Sequence, residues 1–119
     1  MNIERHDAAE LFSQVVVHGE TVYLAGQVAT GASVSEQMTG VLTQIDQRLA
    51  SVGSDRSKLL SATIWLTDIA TFGEMNEVWL SWVDPENKPV RATVEARLAD
   101  PAFLVEVMAV AAREGSRSG

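Results

Sequence analysis

The segment from Phe103 to Ala112 alternates like a strand yet is apolar on both sides. Phe103, Val105, Val107 and Ala109 fall on one face, and Leu104, Met108 and Val110 on the other. Successive strand side chains point to opposite faces, so a strand of this kind belongs inside a sheet with both faces covered. Only two other segments carry helical periodicity, and two helices cover a single face. With 119 residues, the chain has enough material for one core and little more. The second face, carrying Trp65 and Met108, therefore needs a further cover. A neighbouring copy of the chain is the simplest candidate. The pattern predicts a homo-oligomer without fixing the number of subunits.

The remaining elements follow from period and punctuation. Val15-Val16-Val17 and Thr21-Val22-Tyr23-Leu24-Ala25 flank His18-Gly19-Glu20, a hairpin with a glycine turn. Ser33 and Glu36 have capping-box spacing, and Val34, Met38, Val41, Leu42, Ile45 and Leu49 form one helical stripe that Gly53 ends. Leu60, Ala62, Ile64 and Leu66 alternate with polar partners and Trp65 as a strand. Thr71 and Glu74 repeat the capping spacing before a second stripe, Phe72, Met75, Val78, Trp79, Trp82 and Val83. Trp79 and Trp82 read as core or interface residues. Asp84-Pro85-Glu86-Asn87 ends that helix with turn chemistry. Strands are expected from about Val90 to Leu98 and from about Phe103 to Ala112. The order predicts an α+β fold with both helices on one sheet face. Residues 1–112 are expected to form one domain, and the small, polar 113–119 a flexible tail.

Arg91 lies in an alternating segment just after Pro89. Val90, Ala92, Val94, Ala96 and Leu98 share one face, and Arg91, Thr93, Glu95 and Arg97 the other. A guanidinium fixed on a strand is a permanent cation whose planar fork matches a carboxylate. Two readings are open: Arg91 binds a small organic acid, or it pairs with a glutamate across the sheet.

Several function classes are disfavoured. The formal net charge is -7, and basic residues are few and scattered, whereas nucleic-acid binding leaves a basic footprint. No nucleic-acid partner is expected. No apolar run approaches the roughly 18 residues of a membrane span, and the N-terminus lacks signal-peptide organisation, so no membrane partner and a cytoplasmic location are expected. The absence of cysteine excludes disulfides and thiolate chemistry. His6 and His18 stand without carboxylates at ligand spacing, so no metal and no cofactor is expected.

In order along the chain come Val22-Tyr23-Leu24-Ala25-Gly26-Gln27, Ser51-Val52-Gly53, Ala62-Thr63-Ile64-Trp65-Leu66-Thr67-Asp68, Phe72 with Asn76, Pro89-Val90-Arg91-Ala92-Thr93-Val94, and Val105-Glu106-Val107-Met108-Ala109-Val110-Ala111. This ordered set resembles the RidA/YjgF family, also called the Rid or endoribonuclease L-PSP family, over nearly everything from Ile3 to Ala112. The resemblance implies a chorismate-mutase-like fold, a six-stranded sheet with two helices on one face, and a homotrimer with intersubunit clefts. It also implies hydrolysis of 2-imino acids and their enamine tautomers, such as 2-aminoacrylate, to 2-oxo acids and ammonia. The family's other roles are non-enzymatic 2-oxo acid binding or regulation and, less in keeping with the charge, ribonuclease action or inhibition of translation.

By that resemblance Arg91 binds the substrate carboxylate, and the backbone at Ala92 and Thr93 donates beside it. The Gly26 carbonyl helps hold water or the imine nitrogen, and Asn76 is a cleft residue. Phe12 stands where imine-hydrolysing relatives carry a tyrosine. Met108 is read as replacing the family's cleft glutamate, and a thioether is no general base. Glu106, two residues earlier on the same face, is read as a structural partner of Arg91, Arg97 or another cation, with a shifted catalytic role as the alternative.

Overall fold

The computed structural model describes residues 2–114. Of the tail expected from residue 113, residues 115–119 lie outside the described residues. One six-stranded sheet is built from β1 (Ile3–Ala8), β2 (Ser13–His18), β3 (Thr21–Leu24), β4 (Leu59–Leu66), β5 (Val90–Glu95) and β6 (Val105–Ala112), in spatial order β1-β2-β3-β6-β4-β5. Only the β4–β5 pair is parallel. Helices α1 (Val34–Ser51) and α2 (Phe72–Trp82) supply the second layer.

The register explains why the core has one side. Ala62, Ile64 and Leu66 of β4 lie opposite Ala109, Val107 and Val105 of β6, and all six are buried. Val15, Val17, Val22 and Leu24 of the hairpin join them, and the α1 stripe closes over the top. A buried residue of this size contributes about 1.5–3 kcal/mol by leaving water. The opposite face is open: Tyr23, Val90, Val94 and Met108 are exposed. The central strand is therefore apolar on both sides while one chain covers one side, as its pattern required.

Local signals held in part. Ser33 Oγ accepts from Glu36 N–H at 3.1 Å, but the Glu36 carboxylate accepts from Ala32 N–H. The Thr71–Glu74 box does not form: Thr71 makes no cap, and Glu74 instead accepts from Ser35 N–H at the start of α1, 2.9 Å away. Tertiary contact redirected that carboxylate to another helix's free amides, where an anion is equally welcome. Gly19 and Gly53 adopt positive φ, 65° and 80°, as the turn and the helix stop demand. β5 ends at Glu95, short of Leu98. β1 carries no apolar alternation, since Ile3 is its single large apolar residue, and main-chain pairing to β2 makes the strand.

Candidate functional site: two half-sites on opposite faces

Arg91 sits on edge strand β5 in register with Ala62, so it faces the helix layer. There α2 presents two rings one turn pair apart. The Arg91 guanidinium carbon lies 5.3 Å from the Trp79 ring centroid and 5.6 Å from that of Phe72. Partial burial lowers the guanidinium pKa from its ordinary value, and an arginine remains charged nonetheless. Among the described residues no carboxylate lies within ion-pair distance of it. The across-sheet glutamate pairing considered from sequence is not formed.

The strand adds donors beside this cation. Ala96 N–H donates inward to Leu66 O at 2.9 Å. In a parallel ladder alternate residues point the same way, so Ala92 and Val94 turn their amides toward β4, while Arg91 and Thr93 turn theirs to the free edge. The Thr93 hydroxyl is buried without a partner among the described residues. Ala92 itself faces the open side. Asn76, half-buried, lies on α2 between Phe72 and Trp79. Arg91 and the Thr93 amide thus lie at one edge, and Asn76 is on the helix whose rings Arg91 meets.

Gly26, Phe12 and Glu106 gather elsewhere. They line a cleft of about 450 Å³ with Ala25, Val28, Ala99 and Phe103. Main-chain bonds between Gln27 and Val107, 2.8 and 3.1 Å, bring the Gly26 segment onto β6. Gln27 is buried and anchored by its side chain: it donates to Gln14 Oε1 at 3.0 Å and to Ala25 O at 2.9 Å, and accepts from Arg48 Nε at 2.8 Å. Gln37, fully buried, donates to Gly31 O and Ala102 O and accepts from Leu104 N–H. It ties together the two loops that wall the cleft. The φ of Gly26 is not in the left-handed region, so what its missing side chain leaves is room for the Glu106 carboxylate. A Cβ there would collide with the Glu106 carboxylate, 2.9 Å from its Cδ.

This placement revises the reading of β6. Glu106 lies in the cleft against Gly26, and no cation lies within ion-pair distance among the described residues. Met108 lies opposite Thr63, is 41% exposed, and is not among the cleft-lining residues. The cleft therefore has a carboxylate, and it is Glu106. Glu106 lies opposite Trp65 on the open face, whereas Arg91 is on the helix face. Within one chain the sheet separates them. Phe72 and Trp79 had been read only as helix-face residues. Their spacing puts both on one side of α2, but the sequence held no sign that Arg91 would lie there.

Among the described residues no group of three or more His, Asp or Glu could hold a metal ion, and no helix is long and apolar enough to cross a membrane.

An antiparallel-dominated sheet with a one-sided helix layer, an edge arginine without an acid partner among the described residues and a glycine–glutamate cleft defines a class of small α+β proteins. The endoribonuclease L-PSP family profile matches residues 2–113, and the chain belongs to that family. It is 43% identical over 112 residues to a RutC family protein of Haemophilus ducreyi, covering 92% of this chain and 96% of that one. A YjgF-family protein of Neisseria meningitidis superposes with a TM-score of 0.95 at 38% identity, covering 98% of both chains. More distantly, the chain is 27% identical over 108 residues to the rat 2-iminobutanoate/2-iminopropanoate deaminase, covering 84% of this chain and 78% of that one.

Proposed function

We propose that the protein hydrolyses small 2-imino acids, and their enamine tautomers, to 2-oxo acids and ammonia. We further propose that it works as a cytoplasmic homotrimer with its sites between subunits. The observation that carries the reading is Arg91: a charged fork on a rigid strand, without an acid partner among the described residues. Such a group is a receptor for a carboxylate.

In this reading Arg91 of one subunit holds the substrate carboxylate, with the Thr93 amide beside it. Gly26 and Glu106 of the next subunit meet the imine carbon. Glu106 takes a proton from water as the oxygen adds to that carbon and passes it to the imine nitrogen, giving the carbinolamine. The carbinolamine hydroxyl proton then moves to the nitrogen as the C–N bond breaks, releasing ammonia and leaving the 2-oxo acid. Imines hydrolyse unaided, so fixing the acid and orienting one water is sufficient acceleration. Opposite-face placement of the half-sites supports a shared site, because a second copy against the open face brings another chain's residues to Glu106. The distant deaminase relative supports the reaction class. A net charge of -7 weighs against the ribonuclease activity that the family name suggests.

The test is to generate 2-iminobutanoate with an amino-acid oxidase and follow 2-oxobutanoate release, alongside sedimentation. A trimer that accelerates release over buffer is expected. A trimer that binds 2-oxobutanoate without accelerating release would leave a 2-oxo acid binding protein instead. A stable monomer at micromolar concentration would remove the shared site.

A further inference from the structure

We propose that Phe72 and Trp79 are positioning residues, which hold the Arg91 guanidinium charged but unspent so that its full fork is offered to a carboxylate. This rests on the carboxylate-receptor reading of Arg91 and says how that receptor is kept free.

An arginine on a protein surface is ordinarily held in place by an acid. That solution consumes the hydrogen-bonding edge and cancels the charge. An aromatic face is different: it attracts the cation through the negative face of its quadrupole, yet accepts nothing in the plane of the guanidinium. Two rings, with centroids 5.3 Å and 5.6 Å from the guanidinium carbon, therefore restrain the group without using its N–H donors. The two rings differ in exposure. Trp79 is 7% exposed and belongs to the core, whereas Phe72 is 40% exposed at the rim. Trp79 fixes the depth of the side chain, and Phe72 limits its swing toward solvent. The acidic residue on the same strand face, Glu95, accepts from Ile69 N–H at 2.9 Å through Oε2 and makes no ion pair with Arg91 among the described residues.

Phe72 is the residue to change, because a half-exposed ring contributes little to folding. Phe72→Leu keeps apolar bulk and loses the quadrupole, and Phe72→Tyr keeps the ring. The readouts are the 2-oxobutanoate Kd by calorimetry, KM and kcat for the imine, the melting temperature, and the Arg91 Nε–H resonance without ligand. Phe72→Leu is expected to weaken Kd and raise KM about three- to fivefold, as a lost surface cation–π contact of about that size implies. Melting and kcat should stay at the wild-type values. The Arg91 Nε–H signal should lose its ring-current displacement and exchange faster. Phe72→Tyr should restore all of these. A Phe72→Leu protein with Kd within twofold of wild type and an unmoved Arg91 signal would overturn the proposal. So would a Phe72→Tyr protein as impaired as Phe72→Leu. Wild-type protein that binds 2-oxobutanoate but turns over no imine would remove the deaminase reading and leave the cradle standing. Wild-type protein that binds no 2-oxo acid would overturn both.

Discussion

Two arginines lie over two tryptophans one turn apart at the C-terminal end of α2, and they are used oppositely. Arg56 lies 5.0 Å over the Trp82 ring, donates through Nε and Nη2 to Asp46 at 3.2 and 2.6 Å, and through Nη1 to Trp82 O at 2.8 Å. Trp82 Nε1 closes the circuit on the same aspartate at 2.9 Å. Arg91 lies 5.3 Å over Trp79, whose ring centroid is 5.6 Å from that of Trp82, and has no acid partner among the described residues. The stacking is shared, and the acid makes the difference. A guanidinium with its fork filled fastens α1 to the end of α2. One with its fork empty is, under the proposed function, a binding group.

The largest effect expected from breaking this contrast is on ligand recognition. Arg91→Ala should weaken 2-oxo acid binding by about a hundredfold and Arg91→Lys by about tenfold. Charged hydrogen bonds contribute about 1.5–3 kcal/mol, and lysine keeps the charge but not the fork. Melting should hardly move for either. A variant that melts early but binds normally would make Arg91 a second Arg56. Gly26→Ala, next in size, should cut imine turnover at least about tenfold by displacing the Glu106 carboxylate, a group whose proton transfer contributes about a hundredfold or more in such roles. Binding of 2-oxobutanoate should survive it, and equal loss of both would assign Gly26 to the acid rather than to the water.

Arg56→Ala should reverse the Arg91 result, with stability down by about 1–2 kcal/mol and binding per folded molecule unchanged. The loss is moderate because Arg56 and Asp46 keep 40% and 32% of their side chains exposed, and solvent screens such pairs. Urea titration and calorimetry on one sample set would show it. The smallest effect concerns a third arginine. Arg113, first, and His6, second, hold the Glu4 carboxyl below its ordinary pKa. A depressed folded-state pKa stabilises above the unfolded value and is lost as pH falls through the folded one. Melting temperatures of wild type and Glu4→Gln should therefore differ slightly at about pH 6 and converge as pH falls below about 4, the ordinary glutamate range. Convergence at alkaline pH instead would contradict the assignment.

How much of this was legible in the sequence varied with the physics of each element. Strongly periodic segments were readable: the α1 stripe, β4 from Ala62 to Leu66, and the doubly apolar β6 carry their burial in their own pattern, whereas a register irregularity between Leu59 and Ser61 exposes Leu60, read as part of the β4 stripe, and buries Leu59. β1 was not, because an edge strand with one large apolar residue is made by backbone pairing to β2. Glu74 looked like a local cap and became a long-range one. At the site, Arg91, Gly26, Phe12 and Glu106 could all be named from the chain. Glu106 was read as the partner of a cation, and the structure places it in the cleft against Gly26 without an ion pair among the described residues, because period two fixes a face and not what lies across it.

The sequence by itself determined the α+β class, the one-sided helix layer and the open apolar face. Each of these follows from residue type and period, which are local quantities. The tertiary structure alone decided that Arg91 rests on Phe72 and Trp79, that Glu106 fills the space Gly26 leaves, and that the two charges stand on opposite faces of the sheet. Those facts depend on strand register and helix placement, which bring together residues such as Arg48 and Gln27, or Gln37 and Leu104, that are far apart along the chain. No spacing rule within one segment contains that information.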